Sequence, residues 1–329
     1  MSSAANKTIH AGPEDGWHGV VSPDGPFQPE PGRYHLYIGL FCPFAHRAYL
    51  VRHLKGLQHA IGVSVVKPYP KGNDQGWPGW QFPGANGPDD TYDGATADKL
   101  FGSKFMHEVY FKADPDYKGR YSVPVLWDTK TGTIVNNESH ELLRWMPTAF
   151  NSILPEGESR EGAGSRDLNT GVYKAGFAHT QRDYDKNVPT VFAALNHLES
   201  TIHKNAGLFI LGKEMTELDL RAFATIIRFD AIYVQHFKCN LGTIRGNYPV
   251  IHNWMKNLYW NVPGFKETTD FKHIKENYTK SHADINPLAI TPLGPFPDVE
   301  ADSNLGFASM QPGSISHPVV LERQKELYK

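Results

Sequence analysis

Residues 34–67 read strand, helix, strand, and that order constrains the fold more than any other stretch. The apolar run at 34–41 passes straight into a helical pattern at 43–57, and a second apolar run follows at 61–67. Two strands joined through a helix pair in parallel, because a parallel pair needs a crossover that a tight turn cannot supply. The spacing predicts a helix over 99–112. "YSVPVLWDTKTGTIVNNESHELLRWM" then gives a strand, a turn at Thr131 and Gly132, a second strand, and a helix beginning at Glu138 or Ser139. The resulting order, βαβ-α-ββα, defines an α/β domain over 34–150.

From about residue 166 the periodicity changes to three and four, as in "VYKAGFAHTQRDYDKNVPTVFAALNHLESTIH" and "TELDLRAFATIIRFDAIYVQHF", so residues 166–284 form an all-α domain. Thr216 and Asp219 have capping-box spacing and set one helix start locally. Three segments lie outside this scheme. Residues 1–33 hold five Gly and five Pro, which predicts an irregular arm lying on the surface. Residues 70–94 form an insertion with four Pro, six Gly and two Trp, too long for a simple connection. Residues 285–329 are read as an irregular C-terminal extension.

Charge and cysteine usage narrow the function. With 33 Lys+Arg against 35 Asp+Glu the net charge is −2, so no electrostatic pull toward nucleic acid or an anionic membrane is expected. No apolar run reaches spanning length, the N-terminus lacks a signal-peptide core, and two cysteines cannot make a disulfide framework. A soluble, cytoplasmic protein is expected. The 16 histidines form no HExxH or zinc-finger spacing, and neither a P-loop nor GxGxxG occurs, so no metal, flavin or nicotinamide is expected.

Cys42 sits where the first strand turns into the first helix. There the unpaired amides and the positive end of the macrodipole favour thiolate over thiol, and Pro43 suits the first helical position because its missing N–H has no partner to lose. A dithiol redox site would have its second cysteine at position 45, which is Ala. A monothiol cannot resolve its own mixed disulfide, and glutathione is the abundant diffusible thiol for that step. The alternative is a small buried apolar residue, as most free cysteines are. Two further features favour chemistry: Pro124 at a strand start, where a cis Val123–Pro124 bond would present backbone to a peptide-like ligand, and Glu138 with Ser139 at a helix N-terminus, suited to an amine and a carboxylate. Taken alone, Ser139 also reads as a plain helix cap.

Together "CPFAHR", "GWQF", "ADPDYKGRYSVPVLWD", "IVNNES", "GVYKAGFA", "RFDAIYVQHFKCN" and "HIKENYTKSHADINP" resemble the glutathione transferase superfamily, specifically its cysteine-containing, omega-like branch and the xi class, the glutathionyl-hydroquinone reductases. The resemblance implies a thioredoxin-like domain with a mixed sheet followed by a helical domain, glutathione as co-substrate, and a homodimer. It implies Cys42 as nucleophile, with Tyr173 and Tyr278 lining a quinol pocket. Trp80, Arg120, Val123, Pro124, Glu138 and Ser139 would hold glutathione, supported by Pro43 and Phe44. Phe44 departs from the family's frequent Trp, which bears on pocket shape and substrate preference. Trp77 rivals Trp80, Arg120 also reads as a surface cation, and the tyrosines as packing residues. Two competing functions share the fold: an omega-type thioltransferase or dehydroascorbate reductase, and a non-catalytic carrier of aromatic ligands.

Overall fold

Strand β1 (Tyr34–Ile38) is buried along its whole length and holds the centre of a sheet with β2 (Ile61–Val65), β3 (Val125–Asp128) and β4 (Thr133–Asn136) in the order β2-β1-β3-β4. This is a computed structural model describing residues 16–69, 80–153, 167–294 and 310–328. β1 and β2 run parallel, with Tyr34 opposite Ile61 and Ile38 opposite Val65, while β3 pairs antiparallel with both β1 and β4. The mixed sheet of a thioredoxin-like domain is thus present. Its helices are α1 (Pro43–Leu54), α2 (Met106–Ala113) and α3 (Ser139–Ala149).

Two helix boundaries differ from the sequence reading. Helix α1 stops at Leu54, short of 57, because Gly56 adopts left-handed φ +62° and donates its N–H to the His53 carbonyl, a termination that glycine accepts at least cost. Helix α2 begins at Met106 instead of 99. The Asp98 carboxylate accepts the Leu100 and Ser103 amides at 3.0 Å each, and also the Tyr37 hydroxyl, folding the preceding residues into a turn. Phe105 is then extended and bridges Gln81.

The N-terminal arm does more than lie on the surface. Trp17, Val21 and Phe27 are buried. The Gly19 amide donates to the Val135 carbonyl, the Asn137 amide to the Trp17 carbonyl, and Asn136 Nδ2 to the Gly19 carbonyl, so the arm covers the otherwise open edge of β4.

The chain divides into two compact units, Met1–Glu161 with Thr268–Asn277, and Gly162–Glu267 with Tyr278–Lys329. The second is helical: α4 (Asp167–Gly176), α5 (Gln181–Asn205), α6 (Glu217–Arg228) running into a π-helical turn at Phe229–Tyr233, α7 (Ile244–Asn247) and α8 (Pro249–Asn261). Helix α9 (Phe271–Ser281) begins in the first unit and ends in the second. The C-terminal extension, read as irregular, carries a tenth helix, α10 (Pro318–Leu327). Asn196 of α5 donates to the Ile315 carbonyl and to Gln324, and Val320 is fully buried. Among the described residues no helix is long and apolar enough to cross a membrane.

The expected Thr216–Asp219 capping box forms. Asp219 is wholly buried and also accepts the Ile210 amide at 2.9 Å and Trp254 Nε1 at 3.0 Å, so one carboxylate ties α6, α8 and the preceding loop. Asp219→Ala leaves these donors without an acceptor. An expected loss of roughly 3 kcal/mol, read from urea unfolding, follows from the desolvation cost of unmet buried donors.

Candidate active site

The first unit places a thiol at a helix N-terminus. Cys42 is the N-cap of α1, with extended φ/ψ of −80° and 119°, and Pro43 takes the first helical position. The Ala45 amide donates to Cys42 Sγ at 3.5 Å, and the thiol donates to the Val123 carbonyl at 3.6 Å. The carbonyl holds the thiol proton, while the amide and the helix end stabilise the negative charge left when the proton goes. The Val123–Pro124 bond is cis.

Around this cysteine, α1 and α3 are tied by one buried cation. Arg47 lies over the Phe44 ring at 5.1 Å and donates to Ser139 Oγ at 3.2 Å. Ser139 is the first residue of α3 and is buried; its partner is Arg47, so it does not act as the helix cap. Glu138 holds the cap position in an extended conformation without a side-chain cap bond. Its half-exposed carboxylate lies 3.1 Å from His140 Nδ1. His46, on the next face of α1, bonds Thr268 Oγ1 at 2.8 Å and fixes the segment before α9.

Trp80 packs on Phe41, the residue before Cys42, with ring centroids 4.5 Å apart, and its backbone is anchored by the Met106 amide, which donates to its carbonyl. Trp77 lies outside the described residues. Arg120 is exposed and forms no ion pair among the described residues. Hydrogen bonds and ring contacts thus join Cys42 to Val123, Phe44 to Arg47 and Ser139, and Trp80 to Phe41, while Arg120 stands apart from these contacts.

The second unit brings Tyr173 of α4 and Tyr278 of α9 together, hydroxyl to hydroxyl at 2.5 Å. A third hydroxyl, that of Tyr233 in the π-helical turn, lies 3.0 Å from Tyr278. Tyr278 is 1% exposed, whereas Tyr173 is half-buried. Burial, and then the proximity of Tyr173 and Tyr233, pushes the Tyr278 phenol well above its ordinary pKa, so it stays an O–H at neutral pH. Sequence reasoning missed Tyr233. It lies within "RFDAIYVQHFKCN", but the π-helical turn that aims it at Tyr278 has no signature in residue spacing.

The other cysteine contrasts with Cys42. Cys239 is fully buried, and burial pushes its thiol up to about 12. Iodoacetamide at neutral pH is therefore expected to modify Cys42 in the folded protein and to reach Cys239 only after unfolding, as peptide mass mapping would show. Equal labelling of both, or labelling of Cys42 with an ordinary thiol pH profile, would contradict this arrangement. Among the described residues no group of three or more His, Cys, Asp or Glu could hold a metal ion.

The glutathione S-transferase N-terminal domain family matches residues 41–149, and the glutathione S-transferase C-terminal domain family matches residues 181–257. The chain belongs to the glutathione transferase family. Within that family its likeness is to the xi class. The xi glutathione transferase of Saccharomyces cerevisiae, solved in complex with glutathione, is 38% identical with a TM-score of 0.78, over 86% of this chain and 98% of that one. The glutathionyl-hydroquinone reductase YqjG of Escherichia coli is 40% identical over 84% of this chain and 83% of its own. The glutathione S-transferase omega-like 2 of Schizosaccharomyces pombe is 49% identical over 83% of this chain and 89% of its own.

Proposed function

We propose that this enzyme uses glutathione to reduce S-glutathionyl-hydroquinones to free hydroquinones. The observation that carries the reading is the chain of three tyrosine hydroxyls, Tyr173, Tyr278 and Tyr233, in a protein that also has a monothiol at a helix N-terminus. Thiol exchange between sulfur atoms needs the thiol alone; a row of phenols is suited to hydroxylated aromatic rings and to proton delivery. The relative bearing the glutathionyl-hydroquinone reductase name supports the same reading.

In the first step Cys42 thiolate attacks the sulfur of the glutathionyl group. The Cys42–sulfur bond forms as the sulfur–ring bond breaks, its electron pair stays on the ring carbon, and a proton relayed through Tyr173 and Tyr278 completes the free hydroquinone. The ring carbon is reduced and the two sulfurs become a disulfide. A second glutathione thiolate then attacks the glutathione sulfur of that disulfide, giving oxidised glutathione and returning Cys42 as thiolate. Ala45 is why the second thiol comes from solution.

For glutathione itself, Glu138 takes the γ-glutamyl ammonium, and Ser139, polarised by Arg47, takes the adjoining carboxylate. The Val123 backbone, before Pro124, pairs with the cysteinyl unit, Trp80 covers it, and Arg120 meets the glycyl carboxylate. Pro43 and Phe44 shape the floor. A homodimer goes with this reading, to be checked by sedimentation.

The omega-like relative gives a second reading its support: a glutathione-dependent thioltransferase using the same Cys42. Turnover of a glutathionyl-hydroquinone measured beside turnover of a small glutathione mixed disulfide separates the two. Faster quinol release supports the reductase; mixed-disulfide turnover with negligible quinol release overturns it.

A further inference from the structure

Beside the tyrosines lies a second polar contact that the proposed chemistry does not use. His236 Nε2 and His282 Nδ1 are 3.0 Å apart. His236 follows Tyr233 by three residues and His282 follows Tyr278 by four, so each histidine lies about one turn beyond its tyrosine. The two segments are therefore joined by two rungs, Tyr233 to Tyr278 and His236 to His282, both 3.0 Å long. Phe237 packs between them, its ring parallel to Tyr233 and nearly parallel to His282.

The second rung has a physical reason to exist. Tyr278 sits in the last turn of α9, which ends at Ser281; carbonyls there lack intrahelical partners and are met from outside the helix, as the Thr279 carbonyl is by Asn286 Nδ2 at 2.7 Å. The contacts of Tyr278 to Tyr173 and Tyr233 are both made by the one hydroxyl at the tip of the side chain, so rotation of the turn would draw that hydroxyl off both neighbours. A tie at His282, just past the helix end, opposes that rotation. On the opposite segment the π-helical turn, where the Val234 amide donates to the Phe229 carbonyl, inserts an extra residue and turns Tyr233 and His236 toward the same neighbour. Burial lowers the His236 pKa to about 4, so at neutral pH it meets His282 as a neutral imidazole.

We propose that the His236–His282 hydrogen bond is a positioning element for quinol release, fixing the end of α9 so that Tyr278 keeps its hydroxyl between Tyr173 and Tyr233. The inference deepens the reductase reading and rests on it for its kinetic readout. Reach distinguishes it from mere polarity. A glutamine amide reaches the place of Nε2 and an asparagine amide the place of Nδ1, so His236→Gln and His282→Asn can rebuild the rung, whereas His236→Asn and His282→Gln cannot.

Two measurements test this. The first is kcat for release of hydroquinone from its glutathionyl conjugate, with small mixed-disulfide exchange at Cys42 as the control for folding. The matched pair is expected to stay within about threefold of the parent, and the mismatched pair to lose about tenfold in kcat with exchange unchanged, the scale set by loss of alignment. The second is an ultraviolet titration of the phenols, in which the mismatched variants are expected to ionise a tyrosine at lower pH than the parent because Tyr278 becomes better hydrated. Equal kcat and equal titration in matched and mismatched variants would overturn the positioning role. If the parent released no quinol, the reductase reading would fall, and the titration alone would still decide whether the rung holds Tyr278.

Discussion

Cys42→Ser is expected to abolish hydroquinone release, by at least about a thousandfold, the scale of loss when a nucleophile is removed. The replacement is close in shape and is a better N-cap than cysteine, since serine's oxygen accepts an amide readily at that position. The Ala45 amide that now meets Sγ would bond the serine oxygen, so α1 and its packing are expected to persist. What disappears is the anion. An alcohol at a helix N-terminus stays protonated at neutral pH and cannot form a disulfide, so neither attack on the glutathionyl sulfur nor the mixed-disulfide intermediate is available. Intact mass after exposure to a glutathionyl-hydroquinone checks this directly: the parent gains one glutathione and the serine variant gains none. Substantial quinol release by Cys42→Ser, or glutathione found on Cys239, would remove Cys42 from the mechanism. Retained binding of aromatic ligands with lost turnover would also separate an enzyme from a carrier that uses the same fold.

The cysteine's place at a helix start was legible in the sequence because strand, cap and helix are contiguous, whereas the Val123 carbonyl that meets the thiol lies 81 residues away. A strand, a cysteine, a proline and a helical pattern follow one another, and the place of the absent second cysteine, Ala45, is three residues on. The sheet was legible for a similar reason: short apolar runs on either side of a Thr131–Gly132 turn mark β3 and β4, and a helix between β1 and β2 requires a parallel pair. The helix at Met106 was not, because its start is set by the Asp98 carboxylate capturing two amides, and an aspartate in a polar stretch gives no sign of which amides it will take. The tail helix was hidden by length, since ten residues of mixed polarity acquire stability only by docking on α5 through Asn196 and Val320. Position on the helix after Cys42 gives Arg47 a structural or pKa-supporting role without naming its partner, Ser139, which lies 92 residues away. Contacts between segments that are distant in sequence are what spacing does not report, and the tyrosine cluster is of that kind: Tyr173 and Tyr278 are 105 residues apart and meet through their hydroxyls.

Tyr278→Phe is expected to lower kcat for quinol release by about 10- to 100-fold, the range for loss of a positioned proton donor, while leaving mixed-disulfide exchange at Cys42 near the parent rate. The substitution removes one oxygen from a side chain that is otherwise wholly packed, so the ring still fills its site between Tyr233 and Phe237. The hydroxyls of Tyr173 and Tyr233 each lose their contact with Tyr278. Chemically, the row of three phenols becomes two separated ones, and a proton can no longer pass from the buried end to the half-exposed Tyr173. Because burial keeps the Tyr278 phenol protonated far above neutrality, its removal takes away a donor and adds no charge. The pH profile of quinol release is therefore expected to keep its shape at lower amplitude. A fall of the same size in mixed-disulfide exchange would instead mean that the substitution disturbs the thiol site. Unchanged quinol release would leave the hydroxyl chain as packing alone, and the enzyme would then be better described by thiol transfer.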